Sequence, residues 1–161
     1  MTDAPHLLIV WHSRTGGSEA LARAAAEGAG TARLAAAADV TPQLLQAAAG
    51  YLFVAPENLA ALSGAMKEMF DICYYPCLGR IEGRPYATIV CAGSDGENAQ
   101  RQLDRIATGW RLRRVADPMI VNTAAQTPQA ILAPKTIAAD RLAAAHDLGA
   151  ALAEGLASGI F

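Results

Sequence analysis

The chain alternates between short runs that are apolar throughout and longer stretches in which apolar residues recur at helical spacing. Leu7-Leu8-Ile9-Val10-Trp11 is apolar without a break, the pattern of a strand covered on both faces. A helix from Glu19 to Glu27 follows, with Ser18 placed to cap it and Gly28 or Gly30 to stop it. An alanine-rich second strand is expected around Thr31 to Ala35. Thr41-Pro42 has the cap and first-turn arrangement that opens a helix running to about Ala48. Tyr51-Leu52-Phe53-Val54-Ala55 reads as the third strand, ending at Pro56, with Glu57 to Ser63 a loop or short turn. Ser63-Gly64 opens a helix that carries Met66, Met69, Phe70 and Cys73 on one face.

Pro85 to Ala92 is the fourth strand, and Gly93-Ser94-Asp95-Gly96 breaks it before a helix from Glu97 to Thr108. Val115 to Val121 supplies a fifth, which Pro118 consigns to an edge. Thr123 to Lys135 is irregular, and Ile137 to Leu156 forms a long alanine-rich helix. The alternation predicts a doubly wound, three-layer α/β domain with five parallel strands, occupying residues 1–161 as one unit. In such sheets ligands lie beyond the C-terminal strand ends, where the loops at 12–18, 56–63 and 93–96 fall.

Composition narrows the class. The 161 residues are 53% hydrophobic, which suits one ordered core, with disorder expected at most over Met1 to Pro5. With 13 basic and 15 acidic residues the chain has neither the basic surface of a nucleic-acid binder nor a marked acidic character. No basic leader, apolar signal core or stretch of membrane-spanning length is present, so a cytoplasmic protein is expected. Cys73, Cys77 and Cys91 read as buried free thiols, and no metal site is expected from them.

The candidate chemistry begins where the first strand ends. Ser13, Thr15, Gly16, Gly17 and Ser18 combine hydroxyl groups, backbone N–H groups that small side chains leave approachable, and a helix N-terminus: an anion site. The triphosphate loop pattern G-x-x-x-x-G-K-[ST] is absent, and the only lysines are Lys67 and Lys135. The dinucleotide pattern G-x-G-x-x-G is absent from this turn as well.

Ser13-Arg14-Thr15-Gly16-Gly17-Ser18 resembles the FMN phosphate loop of flavodoxins and related flavin reductases. Ala55-Pro56-Glu57-Asn58-Leu59, followed by Leu62 to Asp71, resembles the second flavin loop and helix of NAD(P)H-dependent FMN and quinone reductases. The resemblance is strongest over residues 7–96. It implies a flavodoxin-like sheet of order 2-1-3-4-5. It places Ser13, Arg14, Thr15, Gly16, Gly17 and Ser18 around the flavin phosphate, Pro56, Glu57, Asn58 and Leu59 beside the isoalloxazine, and Gly93, Ser94, Asp95 and Gly96 on its other side. The activity implied is an FMN-binding oxidoreductase in which NADPH or NADH reduces the flavin and a quinone, a flavin or another small acceptor takes the electrons. A flavodoxin-like electron carrier docking on redox partner proteins is the alternative. Near-neutral charge and the absence of aromatic residues at 56–63 and 93–96 weigh against the carrier.

Arg14 is read either as a bidentate phosphate ligand or as a solvent-facing residue, and His12 as structural rather than as an acid or base. Trp11 and Trp110 are assigned to packing or surface anchoring. Arg101, Arg105, Arg111, Arg113 and Arg114 read as a solvated face, with attraction of NADPH phosphates the functional alternative. Met69 to Leu78 is apolar enough to serve the core and a homodimer contact together. No nucleic acid and no membrane are expected as partners.

Overall fold

A computed structural model describes residues 4–161, so of the disorder expected over Met1 to Pro5, residues 1–3 lie outside the described residues. The parallel strands are β1 (Leu7–Trp11), β2 (Arg33–Ala36), β3 (Gly50–Asn58), β5 (Pro85–Ala92), β6 (Arg113–Arg114) and β7 (Met119–Asn122). The short β4 (Ala61–Leu62) is an antiparallel arm. The helices are α1 (Gly17–Ala29), α2 (Pro42–Ala47), α3 (Gly64–Cys77), α4 (Glu97–Gly109), α5 (Pro128–Leu132) and α6 (Ala139–Ser158). The sheet runs β2-β1-β3-β5-β6, with β7 also on β5. This is the predicted order once β6 and β7 count as halves of one strand.

Alternating side chains of the unbroken apolar runs serve two cores. Leu7 and Ile9 join Leu52, Val54, Ala87 and Ile89 under α1 and α6. Leu8 and Val10 join Tyr51, Phe53 and Val90 under α2, α3 and α4. Phe70 and the buried Trp110 pack edge to face at 5.2 Å, so Trp110 serves the core as expected. The three cysteines are free and buried.

Three elements depart from the sequence pattern. Ser18 does not cap α1; the helix starts two residues earlier, with left-handed Gly16 as its cap and Ser18 inside the first turn. β3 does not stop at Pro56 but continues to Asn58 and folds back through β4. Pro56 is tolerated because β1 has ended there and no N–H is needed on that side, while its carbonyl accepts from Ser63 N–H at 3.3 Å. The fifth strand is split. Arg114 lies opposite Tyr86 and Met119 opposite Ile89, so five steps of chain span three of β5 and Val115 to Pro118 bulge out. Of the two glycines expected as the stop, Gly28 lies within α1, where α6 crosses so closely that a Cβ would sit 1.9 Å from the His146 carbonyl oxygen. Gly30 ends the helix instead, with φ at 70°.

Candidate functional site

The three loops that follow β1, β3 and β5 surround one cleft of about 840 Å³, within the range of small-molecule sites. In the first loop Ser13 Oγ accepts from Gly16 N–H at 2.9 Å and pins the turn. Gly16, with φ at 96°, then swings the chain into α1. No side chain caps α1, so its first N–H groups are left for a partner from outside the helix. Gly17 is close-packed: a Cβ there would stand 2.8 Å from Cys91 Sγ and force a shift. Ser18 is only 1% exposed, borders the cleft, and its Oγ has no hydrogen-bond partner within the protein.

His12 braces this loop from outside the cleft. Its N–H donates to the Val54 carbonyl at 3.0 Å, and its Nδ1 lies 2.9 Å from Oγ of the buried Ser63 at the start of α3. Burial, with the Arg14 charge adding to it, lowers the imidazole pKa from its ordinary value of 6.5. A neutral ring tied to a hydroxyl fits the structural reading of His12. Arg14 is exposed and borders the cleft. With the Asn58 amide turned so that its oxygen faces Arg14, that oxygen accepts from Arg14 Nε at 3.2 Å, linking the first loop to the second.

The second and third loops are tied by a carboxylate. Glu57 Oε2 accepts from Gly96 N–H at 2.8 Å, so these two residues, both expected beside a flavin, hold each other at the start of α4. Asn98 Nδ2 donates to the Ala60 carbonyl at 2.5 Å, and Gln102 Oε1 accepts from Leu62 N–H at 2.7 Å, fastening the β3–β4 hairpin to α4. At its tip Leu59 and Ala60 both take positive φ, 52° and 60°, and Leu59 stands fully exposed on the rim of the cleft. Of the third loop, Gly93 and Ser94 line the cleft. Their carbonyls accept from Gln126 Nε2 and Asn122 Nδ2 respectively. Asp95 is exposed, and neither it nor Gly16 or Gly96 contributes to the lining.

The wall that sequence reasoning missed comes from residues 123–135, which read as irregular. Thr123, Ala125, Ile131, Leu132 and Lys135 all line the cleft, as do Cys91 and Ala92 at the end of β5. α5 has no buried residue, and Leu132 is 78% exposed. The only signal in sequence was Thr127-Pro128, which repeats the Thr41-Pro42 start of α2: Thr127 Oγ1 accepts from Ala130 N–H at 3.2 Å as Thr41 Oγ1 does from Leu44 N–H. One end of the cleft is thus rich in donors, and its rim is apolar and non-aromatic. Exposed Arg101, Arg105, Arg111, Arg113 and Arg114 stay outside it.

The sequence model for NADPH-dependent FMN reductases matches residues 20–126, more than half of the chain. The chain belongs to that family. The match begins just after the glycine-rich loop and ends before α5, so both flanks of the reductase-family cleft are read from the structure alone. No curated protein matches by sequence. Among solved structures, an archaeal flavodoxin superposes with a TM-score of 0.77 at 16% identity, covering 94% of this chain and 98% of that one. A WrbA-like flavodoxin from Agrobacterium tumefaciens gives 0.73 at 20% identity, covering 96% and 99%. An NADPH-quinone reductase from P. pentosaceus gives 0.65 at 15% identity, covering 90% and 97%. At these identities the likeness is one of fold, which is flavodoxin-like. Among the described residues no helix is long and apolar enough to cross a membrane.

Proposed function

We propose that this cleft binds FMN and that the protein passes electrons from NADPH or NADH, through the flavin, to a quinone, a free flavin or another small acceptor. The observation that carries the reading is the chemistry of the inner end. The uncapped start of α1, the unpartnered Ser18 hydroxyl and the close-packed Gly17 form a cradle of donors for a multiply charged oxyanion. The rim suits a large flat group: Leu59, Ala60, Ile131 and Leu132 offer apolar surface, and backbone and amide groups at Pro56, Asn58 and Gly93 border the same space. FMN is an ordinary fit to both ends at once.

Bound FMN would supply hydride-accepting chemistry, and the protein's part is placement and electrostatics. Ser13, Thr15, Gly17 and Ser18 would hold the phosphate, with Arg14 beside them. Asn58 and the backbone around Pro56 and Gly93 would orient the ring. Glu57, held by Gly96 N–H, fixes the spacing of the two loops. No described lining residue is aromatic, so no ring of the protein competes with a nicotinamide for the flavin face, which favours the reductase over the carrier. Exposed Ile72, Tyr75 and Leu78 on and just after α3 leave room for a second copy of the chain.

The test is an absorption spectrum of the purified protein after FMN addition and gel filtration, followed by anaerobic NADPH or NADH. Retained FMN that bleaches on nicotinamide addition and recovers with a quinone supports the proposal. Protein that emerges colourless overturns it, and retained FMN that neither nicotinamide reduces favours the carrier.

A further inference from the structure

Lys135 enters the cleft from a segment far along the chain, yet it is built onto the glycine-rich loop. Its N–H donates to the Thr15 carbonyl at 2.8 Å, and its Cβ would lie 3.4 Å from a Cβ placed on Gly17. Its charge is felt by Cys91, the residue against which Gly17 packs: there it opposes the upward push of burial on the thiol. The side chain is half-buried and lines the same cleft as Ser13, Thr15, Gly17 and Ser18.

The ammonium is oriented without being neutralised. It donates to the carbonyls of Ile131 at 2.8 Å and Ala133 at 2.6 Å, at the C-terminal end of α5. Of its three donors one is left over. Among the described residues no carboxylate pairs with it. The cleft it lines is also bordered by Gly17, in the first turn of the uncapped α1, and by the buried Ser18, whose hydroxyl is unpartnered. A half-buried cation with a spare donor and no carboxylate partner, in a cleft that also holds free backbone N–H groups and an unpartnered hydroxyl, calls for an anionic ligand, and the one carboxylate in the lining, Glu57, is held by Gly96.

We propose that Lys135 is the residue by which this site selects a phosphorylated flavin, its ammonium pairing with the FMN phosphate so that FMN is bound in preference to riboflavin. The inference rests on the FMN reading above and adds to it a ligand from outside the glycine-rich loop. The two carbonyls hold the side chain in place before the ligand arrives, so little rotamer freedom is lost on binding. α5, otherwise without a core anchor, is the scaffold for that pre-positioning.

The full chain is titrated with FMN and, separately, with riboflavin, following flavin fluorescence, for wild type, K135M, K135Q and K135R. K135M keeps the aliphatic stem and removes the charge; K135Q is the second neutral variant should K135M fold poorly. A charge-assisted bond is lost in both, so FMN binding weakens about tenfold to a hundredfold. Riboflavin affinity stays at the wild-type value, and K135R retains most of the preference. Parallel weakening of FMN and riboflavin would mean that Lys135 merely holds the segment in place, and unchanged FMN affinity would mean no contact; either result overturns the inference. Wild type that binds neither flavin overturns the FMN reading itself, whereas wild type that prefers FMN alongside an equally selective K135M overturns this inference alone.

Discussion

Replacing Leu59-Ala60 by Asn-Gly should make the protein more stable and its flavin site weaker. The two residues sit between the paired Asn58 and Ala61 and both take positive φ, 52° and 60°, as a two-residue hairpin turn of this hand requires. A side-chain-bearing L-residue held there costs about 1–2 kcal/mol, while asparagine tolerates the conformation and glycine is indifferent to it. Glycine returns about 0.5–1 kcal/mol of this through its freer unfolded chain, so the pair of changes should gain about 1–2 kcal/mol in all. Little is lost against that gain. Leu59 is 102% exposed and buries nothing, and the bond from Asn98 ends on the Ala60 backbone carbonyl, which the substitution keeps. For a domain of this length the gain is a rise of about 2–8 °C in Tm, read by far-UV circular dichroism on flavin-free protein. If Leu59 covers a bound ring as the proposed function has it, FMN affinity falls about tenfold or more as that apolar contact is lost. An unchanged or lower Tm for A60G alone would refute the strain argument. A stabilised double variant with undiminished FMN affinity would remove Leu59 from the site.

Three further outcomes follow from the cleft. Ser18→Ala removes a buried hydroxyl with no internal partner, so the flavin-free protein should hold or gain up to about 1–2 kcal/mol in urea unfolding while FMN binding weakens about tenfold; equal loss in both would show the hydroxyl to be a structural donor. Gly17→Ala places a methyl 2.8 Å from Cys91 Sγ and should cost about 1–3 kcal/mol together with flavin affinity. Adding Cys91→Ala should recover much of both, and a strictly additive double mutant would contradict the contact. The His12 pKa is lowered from 6.5 in the folded protein, so below that value the unfolded chain takes up a proton before the folded one does. Its share of stability is intact above pH 6.5 and is lost as pH falls towards the folded pKa. His12→Asn should remove that part of the acid-side slope in pH-dependent unfolding, and identical slopes would place the proton elsewhere.

The parts of this fold that are legible in sequence are those whose cause is local. β1 and β5 run from Leu7 to Trp11 and from Pro85 to Ala92 as their apolar pattern requires, because a strand buried on both faces is apolar at nearly every position, the buried Thr88 of β5 being satisfied by Gln100. Thr41-Pro42 opens α2 through a bond to Leu44 N–H three residues on. The glycine and hydroxyl composition of 13–18 likewise marked a segment that lines the cleft. Its resemblance to FMN loops pointed to the same family as the match over residues 20–126, which does not include it.

What the sequence left open was decided by contacts between distant segments. Ser18 could have capped α1; it became an unpartnered hydroxyl inside the first turn because Gly16 turned the chain earlier, with Gly17 packed on Cys91 from another strand. Glu57 and Gly96, each expected to face a flavin, face each other because β3 outruns Pro56 and meets α4. Lys135 belongs to a stretch with no periodicity, and its bond to Thr15 together with the burial of nearby Ile137 against Gly17 brings it to the cleft. Hydrophobic periodicity records which face of an element is buried, not which distant residue buries it. The main strands and helices therefore followed from the sequence, while the split fifth strand, α5, the closure of the cleft and the place of Lys135 in it required the folded chain.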